Sequence, residues 1–77
     1  MQIQVSGETP FRAIKNQVMI GPTESGYTLA YSVTKDGVYT ANGDATPANE
    51  NCIVNGIMPY SWLMLSGNTQ SDVVVIL

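Results

Sequence analysis

Cys52 is the only thiol in the chain, and no histidine accompanies it. A cysteine becomes a nucleophile when a cation, a histidine or a helix N-terminus lowers its pKa. Its neighbours Asn51, Ile53 and Val54 supply none of these. Cys52 therefore reads as a small hydrophobe that shares one side of a strand with Val54. Without histidine, Ser-His-Asp and Cys-His arrangements are excluded, and a zinc site lacks its usual ligands. Asp36, Asp44 and Glu50 fall in adjacent loops and could together hold calcium. The EF-hand spacing is absent, however, and turn chemistry accounts for both aspartates. A pair of carboxylates is also the minimum for glycoside hydrolysis, but 77 residues leave little room for a substrate cleft. The expectation is a non-enzymatic chain with no catalytic residue, no cofactor and no metal.

The aromatic side chains are Phe11, Tyr27, Tyr31, Tyr39, Tyr60 and Trp62. Tyr27 and Tyr31 alternate with apolar partners and are expected in the core. Tyr60 and Trp62 follow Pro59 at a bend and share strand parity with Met58 and Met64, which predicts one apolar face. Core burial is the ordinary reading of such a face. Should an aromatic cluster touch a partner, the candidates are Met58, Tyr60 and Trp62, because Tyr and Trp anchor interfaces and stack on sugars.

These side chains must be carried by strands. Gly or Pro interrupts almost every window long enough for an amphipathic helix. Short apolar runs separated by turn residues appear instead: Ile3–Val5, Phe11–Lys15, Val18–Ile20, Tyr27–Thr34, Val38–Ala41, Cys52–Val54, Trp62–Leu65 and Val73–Leu77. Tyr27–Thr34 alternates with a period of two over its whole length, the pattern of a half-buried antiparallel strand. Lys35-Asp36-Gly37 predicts a hairpin in which Gly37 takes a positive φ. Trp62–Leu65 is apolar throughout, which predicts burial on both faces. Val73–Leu77 would aggregate as an open edge, so it is expected in the middle of a sheet or under a partner chain. Seven to eight short strands at regular spacing define one all-β domain over residues 1–77, a small antiparallel β-sandwich of immunoglobulin-like or jelly-roll-like type.

Charged residues make up 12% of the chain, about half the usual share of a soluble domain, and the net charge is -3. Three cations cannot neutralise a nucleic-acid backbone or hold an anionic membrane surface, so neither partner is expected. The surface must instead be covered by neutral polar groups. A domain this short sits near the margin of stability, and neither a disulfide nor a metal staples it. Association with other chains, including a homo-oligomer, is the remaining support. Met1 reads as a true start that runs directly into a strand, with no signal-peptide pattern and no membrane span.

The segments Gly21–Val33, Asp36-Gly37, Ala45–Asn51 and Ser66–Thr69 resemble small structural proteins of tailed bacteriophages. The resemblance is to capsid auxiliary or head-decoration proteins, the crAss-like type among them. It covers most of the chain, and lies in turn grammar and composition. It implies a cement or decoration subunit on an assembled shell, with the major capsid protein or other virion proteins as partners. The implied location is the virion, after synthesis in the host cytoplasm. The alternative reading is a carbohydrate-binding module of a phage fibre or cell-surface protein.

Overall fold

Apolar side chains at alternate positions give each short run one face to bury, and eight runs become strands. They are β1 (Gln2–Val5), β2 (Phe11–Arg12), β3 (Gln17–Ile20), β4 (Thr28–Ser32), β5 (Thr40–Ala41), β6 (Cys52–Asn55), β7 (Trp62–Ser66) and β8 (Val73–Ile76). The structure, a computed structural model, describes residues 1–77 and contains no helix.

The strands form two four-stranded antiparallel sheets, ordered β1-β8-β3-β6 and β2-β7-β4-β5. β1 pairs with β8, β2 with β7, β3 with β6 and β4 with β5. This is the path of one long hairpin wrapped around a core. The joins β8–β3 and β7–β4 complete the two sheets. The result is the jelly-roll form of the β-sandwich. The immunoglobulin-like order, with its first two strands side by side in one sheet, is absent. β8 lies between β1 and β3, so the apolar C-terminal run is central, as its composition predicts.

The core lies between the sheets. Val18 and Ile20 of β3, Leu63 and Leu65 of β7, and Val73 and Val75 of β8 are each 1% exposed or less. Cys52 is half-buried on the core side with Val54, as alternation predicts.

Several expectations need correction. Tyr31 faces the core side, in register with Leu63, yet is 43% exposed. Its ring lines an open cleft with Asn42, Ile57 and Met58 instead of being closed over by the other sheet. The return strand is Thr40–Ala41 rather than Val38–Ala41, and Val38 projects into solvent. Gly37 does not adopt a positive φ. A Cβ there would meet the side-chain hydroxyls of Ser32 and Thr34, which would have to turn aside, while the nearest backbone atom, the Thr34 carbonyl oxygen, is 3.4 Å away. The run Trp62–Leu65 is buried on one face only: Leu63 and Leu65 are enclosed, whereas Trp62 and Met64 are half-buried on the other side. β2 ends at Arg12 rather than Lys15.

Two polar clasps fix the loops. Thr23 is 1% exposed, and its Oγ1 accepts the Gly26 N–H at 3.0 Å. Asn68 is 2% exposed, and its amide nitrogen donates to the carbonyls of Gly7 (2.9 Å) and Gln70 (3.1 Å). Its amide oxygen accepts the Gln70 N–H at 3.1 Å. Asn68 thereby ties the β1–β2 turn to the β7–β8 turn.

Tyr27 is buried, and its hydroxyl has no hydrogen-bond partner. Burial pushes the phenol up to about 12; the Thr46 side chain opposes the shift, and Cys52 adds to it. Because the folded-state value exceeds the unfolded one, the neutral phenol favours the fold at pH values below about 10. That contribution is lost as pH rises from about 10 to 12. Tyr27→Phe removes the unpaired hydroxyl and is expected to stabilise the fold by about 1 kcal/mol. It should also shift the alkaline unfolding midpoint upward in a pH titration followed by circular dichroism.

Candidate functional site

The candidate residues Met58, Tyr60 and Trp62 sit where the chain passes from β6 to β7. They do not share a face through strand parity, because Met58–Ser61 is a turn. The Ser61 N–H donates to the Met58 carbonyl at 3.2 Å, Pro59 occupies the second position, and Tyr60 has φ +69°. These are the marks of a type II turn, whose third position favours Gly or Asn. The other non-glycine residues with positive φ are Asn49 and Asp72, types that tolerate it. A tyrosine there is strained by roughly 1–2 kcal/mol. Tyr60 is nevertheless 62% exposed and Met58 69%, so core burial of this pair is corrected. Little packing offsets the strain, and backbone strain of this kind clusters at functional positions. Tyr60→Asn is expected to leave stability unchanged or raise it by up to about 1 kcal/mol. A loss above about 2 kcal/mol in urea denaturation would show instead that the fold depends on the ring.

Sequence reading missed two residues of this site. Arg12 lies beside Trp62 in the β2–β7 register, and Ser32 lies on the other side of Trp62. Arg12 Nε donates to the Tyr60 carbonyl at 3.0 Å, which fixes the guanidinium. Its central carbon stands 5.7 Å from the centroids of both the Tyr60 and Trp62 rings. Lys35, from the β4–β5 loop, places its Nζ 5.8 Å from the Trp62 ring centroid. The outcome is a surface row of Tyr60, Arg12, Trp62 and Lys35 held by cation–π contacts. No lysine or arginine of the chain comes within 4.0 Å of a carboxylate oxygen. Arg12 is the only charged residue in any strand, but the sequence did not single it out, since the run Phe11–Lys15 also holds Lys15. Its neighbours depended on register, which sequence does not give.

Behind the turn is a cleft of about 270 Å³ lined by Tyr31, Asn42, Gly56, Ile57, Met58 and Ser61, with no charged group. Asp36, Asp44 and Glu50 do not converge, and no three Cys, Asp or Glu side chains gather where a metal could bind.

A second surface lies on the outside of the β1-β8-β3-β6 sheet. Gln2, Ile76, Met19 and Ile53 form one cross-strand row, flanked by Val74, Gln4, Gln17 and Asn55. Met19, Ile53, Val74 and Ile76 are 37–56% exposed. The Gln17 side chain donates to Asn55 Oδ1 at 2.8 Å. This face carries no charge at all, and neither do its edge strands β1 and β6.

Comparison with protein-family models, with curated proteins and with solved structures finds no match.

Proposed function

We propose that the chain is a non-enzymatic structural subunit that lies on an assembled viral shell, as a decoration or cement protein against the major capsid protein and its neighbours. The observation that carries this reading is the charge-free, apolar outer face of the β1-β8-β3-β6 sheet. Free domains guard such faces and edges with lysine, proline or inward charges. Here neither the face nor its edge strands have that protection. Four strands spaced about 4.8 Å apart and about four residues long give a flat area of roughly 250 Å². A stable two-body interface needs roughly 800 Å² per partner. One such contact is weak, and repeated contacts across a lattice make it effective. The jelly roll serves viral capsid proteins and lectins alike, so fold analogy favours both this reading and its rival. The resemblance in turn grammar supports the shell.

The test is co-sedimentation with assembled particles. Ile53→Lys and Met19→Glu alter exposed side chains, so the fold should survive. Each is expected to lower occupancy about tenfold, as a desolvated unpaired charge would. Native occupancy by folded variants would refute this use of the face.

The carbohydrate-binding reading has one observation of its own, the uncharged cleft beside Tyr31 and Asn42. A glycan screen in which Tyr31→Ala abolishes a hit would favour it.

A further inference from the structure

We infer that the row Tyr60–Arg12–Trp62–Lys35 docks a carboxylate-bearing protein surface. The inference deepens the proposal of a binding subunit by naming the chemistry of a partner. Of the chain's nine charged residues, Arg12 alone stands on a sheet face; the other eight lie in loops. Its Nε is committed to the Tyr60 carbonyl, which orients the guanidinium and leaves the terminal nitrogens without a partner in the chain. A guanidinium so placed presents a planar fork that matches a carboxylate. Lys35 adds a second unpaired cation on the far side of Trp62. The rings supply the apolar area that excludes water from the charged contacts, and Arg, Tyr and Trp are the types that dominate interface energetics.

The charge pattern selects the partner. The row is locally basic in a chain of net charge -3. That net charge opposes a long polyphosphate, and two cations neutralise too little of one. One or two carboxylates on a protein surface match the two cations in number. The strained turn at Tyr60 fits the same role, since it holds the ring beside the guanidinium at the expense of stability.

Trp62 is the only tryptophan, so its indole N–H gives one NMR cross-peak that reports this row. The intact chain is titrated with capped hexaglutamate, and with capped hexaglutamine as the neutral control. Hexaglutamate should shift the peak saturably, and hexaglutamine should not. The apparent affinity should fall several-fold between about 20 and about 200 mM NaCl, because exposed ion pairs are screened. Arg12→Gln should weaken binding about tenfold, and Arg12→Lys, which keeps the charge and loses the fork, by an intermediate factor. Lys35→Gln, in an exposed loop, keeps the test valid if Arg12→Gln does not fold, and should weaken binding several-fold.

No shift at about 10 mM hexaglutamate would overturn the inference, as would equal shifts from both peptides. A larger response to a short thymidine oligonucleotide would reassign the row to phosphate. A shift caused by raising the chain's own concentration, and abolished by Arg12→Gln, would assign the occupant as a second copy. None of these outcomes depends on the shell reading, which co-sedimentation tests separately.

Discussion

Gly26→Ala should destabilise the chain by roughly 3–4 kcal/mol, against a total stability of about 4–12 kcal/mol for a domain this size. Gly26 has φ +75°, and a Cβ there would lie 2.6 Å from the Thr46 carbonyl oxygen and 3.3 Å from Ala48 N. Both neighbours are backbone and cannot swing aside. To make room, the chain must open the Tyr27–Thr46 bridge, whose two hydrogen bonds measure 3.2 and 2.7 Å. About 1–2 kcal/mol of left-handed strain then adds to about 1 kcal/mol for each lost bond. Urea denaturation of the purified variant provides the measurement. A change below about 1 kcal/mol would show that the loop Ala45–Ala48 moves freely and does not brace β4.

Asn68→Asp is nearly isosteric and should cost a similar amount at neutral pH, roughly 3–5 kcal/mol. The amide nitrogen faces two carbonyl oxygens at 2.9 and 3.1 Å inside a site that is 2% exposed. A carboxylate there replaces a donor with a third negative oxygen. The fold therefore favours the protonated carboxyl and raises its pKa above the unfolded value of about 3.9. The sign follows by linkage: the penalty is smallest at pH values below about 4 and grows as pH rises through the folded-state value. Urea midpoints for variant and parent should converge at acid pH and separate at neutral pH. A pH-independent difference would mean that the defect is packing rather than charge.

Much of the fold was legible because a short apolar run between turn residues is a local property. Val18/Ile20, Leu63/Leu65 and Val73/Val75 are the enclosed side chains of the core, and their runs read as strands, but the runs are apolar at every position, so which face each one buries was not legible. The place of β8 was legible for a different reason, since an apolar terminal run has few tolerable positions. Strand order was not legible, because partners such as Gln2 and Ile76 are joined only by long-range register. Tyr31 was misread through the same gap. Its parity is correct, but its exposure depends on the open cleft that it lines with residues distant in sequence, Asn42, Ile57 and Met58. The site was half legible. Tyr60 and Trp62 stood out by type, yet their relation depends on a turn with a tyrosine at a glycine-like position, which strand periodicity does not describe. Arg12 and Lys35 join them only through the sheet.

The two surfaces suit one molecule that contacts neighbours on opposite sides. The outer face of the β1-β8-β3-β6 sheet is exposed, whereas that of the β2-β7-β4-β5 sheet is partly covered, with Ala30 and Ser32 buried and Trp62 and Met64 half-buried. One face offers an uncharged apolar row, and the other an anchored aromatic–cation row. The proposed subunit, set between a shell and its neighbours, would use both.

The central claim is membership of an assembled particle, and stoichiometry tests it most directly. Particles purified from cells that make the chain are analysed by quantitative mass spectrometry, with the 8.3 kDa chain measured against the major shell protein. A ratio close to a simple fraction of the shell copy number is the predicted result. Absence of the chain from intact particles would contradict the account.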